Sequence, residues 1–106
     1  MLPRRERIAR GSEIRRILNR KKFHFSSPLL FIAADENNKP YSRLAVICSR
    51  ELGTAVERNR VRRIIFGQFR KIRQILAKKV DAVIIPRFSM ASAKEYGDEI
   101  HRGLCG

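Results

Sequence analysis

The sequence predicts one small α/β domain, and three observations lead to this fold class. The chain has 106 residues, which is enough for one hydrophobic core and too few for two. Hydrophobic residues make up 43% of it, so a packed core can form. Two nearly continuous apolar runs, RLAVICS at 43–49 and VDAVIIP at 80–86, flank a long amphipathic pattern. Strand, helix and strand in this order form a βαβ unit with parallel strands.

The long helix is predicted over residues 54–79. Thr54 and Glu57 have the spacing of a capping box, which marks the start of the helix. A buried stripe follows from apolar residues spaced three or four apart, namely Val61, Ile65, Phe69, Ile72 and Leu76. A neighbouring face collects Asn59, Arg62, Phe66, Arg70 and Arg73. Phe66 thus lies among basic residues, where it can stack on a base or, as we favour, pack on the first helix.

The elements outside the βαβ unit follow from local patterns. Residues 1–10 form a basic arm without clear periodicity, and Ser12 is positioned to cap a short helix. The apolar stretch 23–34 predicts one or two strands. The run 43–49 is nearly all apolar, which predicts a central strand covered on both faces. Near the end, the spacing of Ser92 and Glu95 predicts a second capping box and a final helix.

The charge of the chain indicates a polyanionic partner. Lysine and arginine total 24 against 10 acidic residues, a net charge of +14. Nucleic acid is the partner that this charge favours, and an anionic membrane surface is the weaker alternative. The start, MLPRRERIAR, lacks the apolar stretch of a signal peptide, and the longest apolar run, LLFIAA, is too short to cross a bilayer. We therefore expect a cytoplasmic protein with Cys48 and Cys105 reduced.

The first half of the long helix carries an unusual concentration of positive charge, contributed by Arg58, Arg60, Arg62 and Arg63 around Asn59. A solvated surface is the simpler interpretation. Against it, Arg58 and Arg62 are one turn apart, so they repel each other. The helix dipole also disfavours cations near an N-terminus. A bound phosphate would offset both costs, and arginine provides forked contacts to phosphate oxygens.

These residues also carry a family resemblance. The segment AVERNRVRR at 55–63 comes after SRELG and lies between RLAVICS and DAVIIPR. With Arg58, Asn59 and Arg60 at its centre, it resembles the signature of the bacterial ribonuclease P protein component. The similarity extends from the first helix to Arg87.

The resemblance implies a fold and a function. The fold is a two-layer α/β (α+β) sandwich with a four-stranded mixed sheet, in the order α-β-β-β-α-β-α, as a single RNA-binding domain over residues 1–106. Its βαβ crossover is left-handed, an exception to the usual hand. The function is removal of the 5′ leader from precursor tRNA. An RNA subunit performs the hydrolysis with Mg²⁺, and the protein is an accessory subunit that binds the catalytic RNA and the substrate's leader.

The resemblance also implies site residues. Those expected to contact RNA are the motif residues Arg58, Asn59, Arg60, Arg62 and Arg63, with Arg70 added from the same region of the helix surface and Arg87 from a basic family position. For Arg87, and likewise for Arg50, a solvated loop arginine is an equal alternative. Those expected to line a leader-binding cleft between the first helix and the sheet are Ile14, Leu18, Ile32 and Arg50. Family members often have aromatic residues at the positions of Ile14, Leu18 and Ile32, which are aliphatic here. Leader binding should therefore depend mainly on phosphates rather than on base stacking.

Other chemistry is not indicated. His24 and His101 are far apart in the sequence and lack the spacing of metal ligands. Asp35, Glu36 and Asp81 belong to turns or strand starts, so we expect no catalytic residue, no metal site and no cofactor in the protein itself. We also expect no small-molecule substrate. A non-catalytic RNA-binding protein, such as a ribosomal protein, is the alternative function.

Overall fold

The computed structural model describes residues 2–20 and 22–105. Within them, three α-helices and one four-stranded sheet are present. In chain order the elements are α1 (Gly11–Arg20), β1 (Phe23–Ser26), β2 (Leu30–Glu36), β3 (Arg43–Val46), α2 (Ala55–Ile72), β4 (Val80–Pro86) and α3 (Ala93–Cys105). Short 3₁₀ helices occur at Arg4–Glu6, Arg50–Leu52 and Arg73–Ile75.

The sheet has the strand order β1-β2-β4-β3. β2 is antiparallel to both β1 and β4, whereas β3 and β4 are parallel, with Leu44 opposite Ala82. The predicted parallel βαβ unit is therefore confirmed. The prediction that residues 43–49 form a central strand is wrong, because β4 pairs with β2 along its whole length and leaves β3 at the edge. Burial on both faces does not require a central position, since Leu44 and Ala45 are covered on opposite faces.

The N-terminal segment 2–10, called here the docked arm, covers the outer edge of β3. The backbone N–H of Ile8 donates to the carbonyl of Leu44 at 2.9 Å, and Arg7 forms a parallel bridge with Leu44. Leu2, Glu6 and Ile8 are buried. The arm is basic as predicted, but it is packed against the domain because an edge strand offers free backbone groups. Met1, which belongs to the predicted arm, lies outside the described residues.

The helix boundaries follow the predicted caps in two cases of three. Both hydrogen bonds of the Thr54 and Glu57 capping box are present at α2, at 3.2 and 2.9 Å. Ser92 and Glu95 form the same arrangement before α3. Ser12 does not cap α1, because the helix already begins at Gly11.

The predicted end of the long helix at residue 79 is wrong. Regular α-helix stops at Ile72, and a 3₁₀ turn continues it only to Ile75. Leu76 then has an extended backbone, which leads the chain toward β4 at Val80. Helical periodicity continued to Leu76 in the sequence because this side chain still packs against the core after the helix has ended.

Candidate nucleic-acid interface

The basic residues of α2 differ in their exposure and in their contacts with the rest of the protein. Asn59, Arg63 and Arg70 are exposed, while Arg58 and Arg62 are half-buried. The Nη1 of Arg62 donates to Oδ1 of Asn59 at 3.3 Å. At 100° per residue these five side chains fall within about 140° of the helix circumference. We call this group, Arg58, Asn59, Arg62, Arg63 and Arg70, the signature face.

Arg60 is not part of the signature face, although it belongs to the same sequence motif. Its Nη1 donates to the carbonyl of Ser89 at 3.1 Å, and its Nη2 donates to the carbonyl of Ala91 at 3.4 Å. These carbonyls lie in the connection between β4 and α3. Arg60 therefore ties α2 to this connection, and two of its donors are already used.

Two further residues of the predicted basic face have structural contacts. Phe66 is only 6% exposed and belongs to the main core, so it is packed rather than free to stack on a base; that it packs on the first helix stays a prediction. Arg73 forms an ion pair with the buried carboxylate of Glu6, which links the end of α2 to the docked arm. Neither side chain is available as a large contact surface for RNA.

Partly buried apolar side chains lie between α1 and the sheet face that carries it. Ile14 and Leu18 of α1 are partly buried there together with Phe31, Ile47 and Ile85 of the sheet face. We call this group the α1 groove. Two of the predicted cleft residues, Ile14 and Leu18, therefore lie between α1 and the sheet, and their contact with a leader stays a prediction.

Ile32 does not line the α1 groove, and its assignment to the cleft is wrong. It is fully buried on the opposite face of the sheet, where a side chain at Gly103 of α3 would meet its Cδ1 atom. Adjacent strand residues face opposite sides, so a shift of one position exchanges the faces. The groove residue at this point is Phe31, an aromatic side chain that the sequence interpretation missed. The sequence of β2 shows that neighbouring side chains point to opposite faces of the sheet. It does not show which of these side chains face α1.

Arg87 and Arg50 occupy different positions relative to the groove. Nη1 of Arg87 donates to Oγ of Ser26 at 2.8 Å and to the carbonyl of Ser27 at 3.0 Å. Its guanidinium carbon lies 5.8 Å from the ring centroid of Phe31, within cation–π range. Arg50 is exposed in the 3₁₀ helix that follows β3. Arg87 is thus held beside the groove, whereas Arg50 projects from a connecting segment.

An ionic cluster fixes α1 to the sheet beside the groove. Arg43 donates to both carboxylate oxygens of Asp81, at 2.9 and 2.7 Å, and to Glu13 of α1 at 2.7 Å. Nδ2 of Asn37 donates to Asp81 at 2.8 Å. Burial alone would raise the pKa of Asp81, but the hydrogen bonds and charges of these partners outweigh it and lower the pKa. Arg43 has its pKa raised, chiefly by the hydrogen bond to Asp81.

The charges of the signature face act on Cys48, which lies just after the end of β3. Sγ of Cys48 lies 3.9 Å from the carbonyl oxygen of Arg58. Burial raises the pKa of the Cys48 thiol, while the charges of Arg62 and Arg58 act in the opposite direction. Positive charge from Arg58 and Arg62 is therefore concentrated near the start of α2, which favours an anion-binding surface.

Residues 2–20 and 22–105 contain neither a metal-binding cluster nor a membrane-spanning helix. Nowhere in this part of the chain do three or more His, Cys, Asp or Glu side chains come together in a way that could hold a metal ion. Among the described helices, none combines the length and the apolarity needed to cross a membrane.

Comparison with known proteins identifies the family. The family model for Ribonuclease P matches residues 2–104. The ribonuclease P protein component of Clostridium novyi is 34% identical over 83 residues, which cover 77% of this chain and 74% of that protein. The corresponding protein of Clostridium acetobutylicum is 34% identical over 94 residues, covering 87% and 77%.

Solved structures agree with this fold. A Staphylococcus aureus RNase P protein superposes with a TM-score of 0.81 at 21% identity, covering 94% of this chain and 93% of that one. The Thermotoga maritima RNase P protein also gives 0.81, at 24% identity, with coverage of 93% and 94%. By its sequence match over nearly the whole chain, and with a fold that agrees, this chain belongs to the ribonuclease P protein family.

Proposed function

We propose that this chain is the protein subunit of ribonuclease P and assists a catalytic RNA in removing 5′ leaders from precursor tRNA in the cytoplasm. The observation that carries the proposal is the signature face, a group of exposed and half-buried arginines on one side of α2 within a domain of this family. The alternative of a ribosomal RNA-binding protein has no comparable support, since the family match favours ribonuclease P.

The signature face is suited to the catalytic RNA. Arg63 and Arg70 are exposed, and their guanidinium groups can form paired hydrogen bonds to phosphate oxygens. Asn59 can donate to or accept from a ribose hydroxyl or a base edge. Each phosphate contact releases counterions, so binding should weaken steeply with salt. The hydrolysis itself is assigned to the RNA subunit with Mg²⁺ bound through RNA.

The α1 groove is suited to a single-stranded leader. Its partly buried apolar side chains provide contacts for sugars and bases, and Arg87 at its side provides a positive charge for a phosphate. Phe31 adds an aromatic face that was absent from the sequence expectation. Stacking of one base on such a ring is worth about 1–3 kcal/mol by alanine substitution. The groove therefore combines charge with one stacking position.

The direct test is a cleavage assay. Purified protein is added to a bacterial ribonuclease P RNA at low Mg²⁺, and cleavage of precursor tRNA is measured with and without the protein. We expect the protein to restore cleavage that the RNA alone performs poorly. A protein that binds the RNA but leaves the cleavage rate unchanged would instead be an RNA-binding module.

Arg63 and Arg60 provide a matched pair of variants, because both are exposed arginines of α2 and only Arg60 is held by backbone carbonyls. For binding to the catalytic RNA, a plot of log affinity against log salt concentration has a negative slope. Arg63→Gln should make this slope shallower by roughly 0.7–0.9. Arg60→Gln should leave this slope almost unchanged and lower the melting temperature instead. Equal slopes for the two variants would contradict the assignment of the signature face.

A further inference from the structure

The segment 87–92, called here the β4–α3 connection, follows β4 and has no regular secondary structure. A segment of this kind moves freely unless other parts of the chain hold it. Its first residue, Arg87, is the exposed arginine beside the α1 groove. The conformation of the connection therefore affects where the guanidinium of Arg87 lies.

Two side chains hold three backbone carbonyls of the β4–α3 connection. The hydroxyl of Tyr96, a fully buried residue of α3, donates to the carbonyl of Phe88. Arg60 of α2 donates to the carbonyls of Ser89 and Ala91 at 3.1 and 3.4 Å. One residue from each of two helices thus fixes the same short segment.

Tyr96 and Arg60 also lie near each other. Burial raises the pKa of Tyr96, whereas a hydrogen bond with the backbone of Ala91 and the charge of Arg60 act in the opposite direction. The two side chains therefore meet at one place on the connection. We call the pair, Tyr96 and Arg60, the connection clamp.

The exposure of the side chains shows that the connection has one fixed orientation. Ser89 and Ala91 are buried, whereas Phe88 and Met90 are 51% and 70% exposed. Rotation of the segment about its own axis would expose the two buried residues and break the hydrogen bonds of the clamp. The connection therefore cannot turn freely while the clamp is intact.

Arg87 is held from its other side by the turn between β1 and β2. Its backbone N–H donates to the carbonyl of Leu29 at 2.8 Å, and its Nη1 donates to Ser26 and Ser27. In this conformation the guanidinium lies over the ring of Phe31. Arg87 is thus placed between the turn before it in space and the clamped residues that follow it in the chain.

We propose that Tyr96 and Arg60 are positioning residues, which fix the β4–α3 connection so that Arg87 is held at the α1 groove to contact a phosphate of the 5′ leader. This inference rests on the proposed function, because it states how the contact with the leader is prepared. An arginine that is already held in its binding conformation loses less conformational entropy when the ligand binds. Arg60 thus serves substrate binding without touching RNA, although it belongs to the signature motif.

The main test is Tyr96→Phe, which removes the hydroxyl and keeps the buried ring. The affinity of the holoenzyme for precursor and mature tRNA is measured across a salt series, at a temperature well below the melting temperature. Arg87→Gln should make the precursor slope of log affinity against log salt concentration shallower by roughly 0.7, the value of one phosphate contact with a single strand. Tyr96→Phe should cause at least about half of this change, although Arg87 is still present, and should leave the affinity for mature tRNA unchanged.

A double variant shows whether Tyr96 acts through Arg87. In the Arg87→Gln background, Tyr96→Phe should have no further effect on precursor binding, because the residue that it positions is absent. Arg60→Gln should behave like Tyr96→Phe in both backgrounds. If Tyr96→Phe still weakens precursor binding in the Arg87→Gln background, the hydroxyl does not act through Arg87 and the proposal is overturned.

Gly103→Ala is the control for a purely structural loss. A Cβ at Gly103 would meet Ile32 and Phe25, so this variant disturbs the packing of α3 on the sheet and leaves the connection clamp in place. Its precursor affinity and salt slope should equal those of the wild type. If Tyr96→Phe lowers the melting temperature and likewise leaves precursor binding unchanged, the clamp has only a structural role and the proposal is overturned.

The wild-type protein and Arg87→Gln separate this inference from the proposed function. If the wild-type holoenzyme cleaves and prefers precursor tRNA but Arg87→Gln does not change that preference, Arg87 makes no leader contact. The positioning proposal is then overturned, and the proposed function stands. If the wild-type protein neither stimulates cleavage nor improves precursor binding, both are overturned.

Discussion

The sheet carries α2 and α3 on one face and α1 alone on the other, and the two faces are stabilised by different interactions. On the first face, Phe69, Tyr96 and Ile100 are fully buried in a continuous apolar core. On the second face, Ile17 is buried, but Phe31 and its neighbours remain partly exposed. There α1 is fixed by the ionic cluster around Asp81 as well as by apolar contact.

This difference shows how a domain of 106 residues supplies both stability and a binding surface. The α2–α3 face buries the larger set of apolar side chains, so its burial contributes more to the free energy of folding than that of the α1 face. The α1 face buries less, so more of its apolar surface stays in contact with solvent. Charged residues can hold α1 at one end of the α1 groove without filling it.

The largest expected effect comes from the α2–α3 face. Phe69→Ala should lower the free energy of unfolding by about 3–5 kcal/mol, because it leaves a cavity in a close-packed core. Ile85→Ala, at a partly buried position of the α1 face, should cost about 1 kcal/mol, since less area is buried there. Urea denaturation of both variants in one buffer measures the difference. Equal losses would show that the two faces are packed alike.

The ionic cluster should give the next largest effect. Asp81→Asn should cost about 3 kcal/mol, because it removes the buried one of the two carboxylates that pair with Arg43, whose side chain is only 12% exposed. The exposed pair of Lys78 and Glu36, at 3.2 Å, provides the control, and Glu36→Gln should cost less than about 0.5 kcal/mol. Urea denaturation at neutral pH measures the free energy of unfolding of both variants.

The same cluster predicts a pH dependence. The pKa of Asp81 is lowered in the folded protein, so its contribution to stability is complete above the ordinary aspartate pKa of about 3.9. It is lost as pH falls below that value through the lowered folded-state pKa. Wild-type stability should therefore fall more steeply below pH 4 than that of Asp81→Asn. Parallel pH curves for the two proteins would contradict a lowered pKa.

The smallest effects come from two helical glycines that differ in their surroundings. A Cβ at Gly103 of α3 would lie 2.7 Å from Cδ1 of Ile32 and 3.0 Å from Phe25, so Gly103→Ala should destabilise the protein by about 1–2 kcal/mol. A Cβ at Gly67 of α2 would meet nothing within 4 Å, so Gly67→Ala should stabilise it by about 0.5–1 kcal/mol. Thermal unfolding compares the two. If Gly103→Ala stabilised the protein instead, α3 would have to move away from the sheet without lowering the stability of the fold.

The sequence by itself determined the local elements and the family. Capping boxes at Thr54 and Ser92 involve residues three apart, and the buried stripe of α2 repeats every three or four residues. Such signals act over one or two helical turns, so they can be read without knowing the fold. The parallel pairing of the strands flanking α2 also followed from the order of elements, and the arginine motif was sufficient to identify the family.

Only the tertiary structure decided which neighbour each side chain meets. The positions of β3 at the edge, of Phe31 rather than Ile32 in the groove, and of the arm against β3 depend on pairing between distant segments. Arg60 and Arg63 look equivalent in the sequence, yet Arg60 is bound to carbonyls some thirty residues later. Local periodicity gives the spacing of side chains along an element, but strand order and the absolute orientation of each face follow from long-range packing, which no short window of sequence contains.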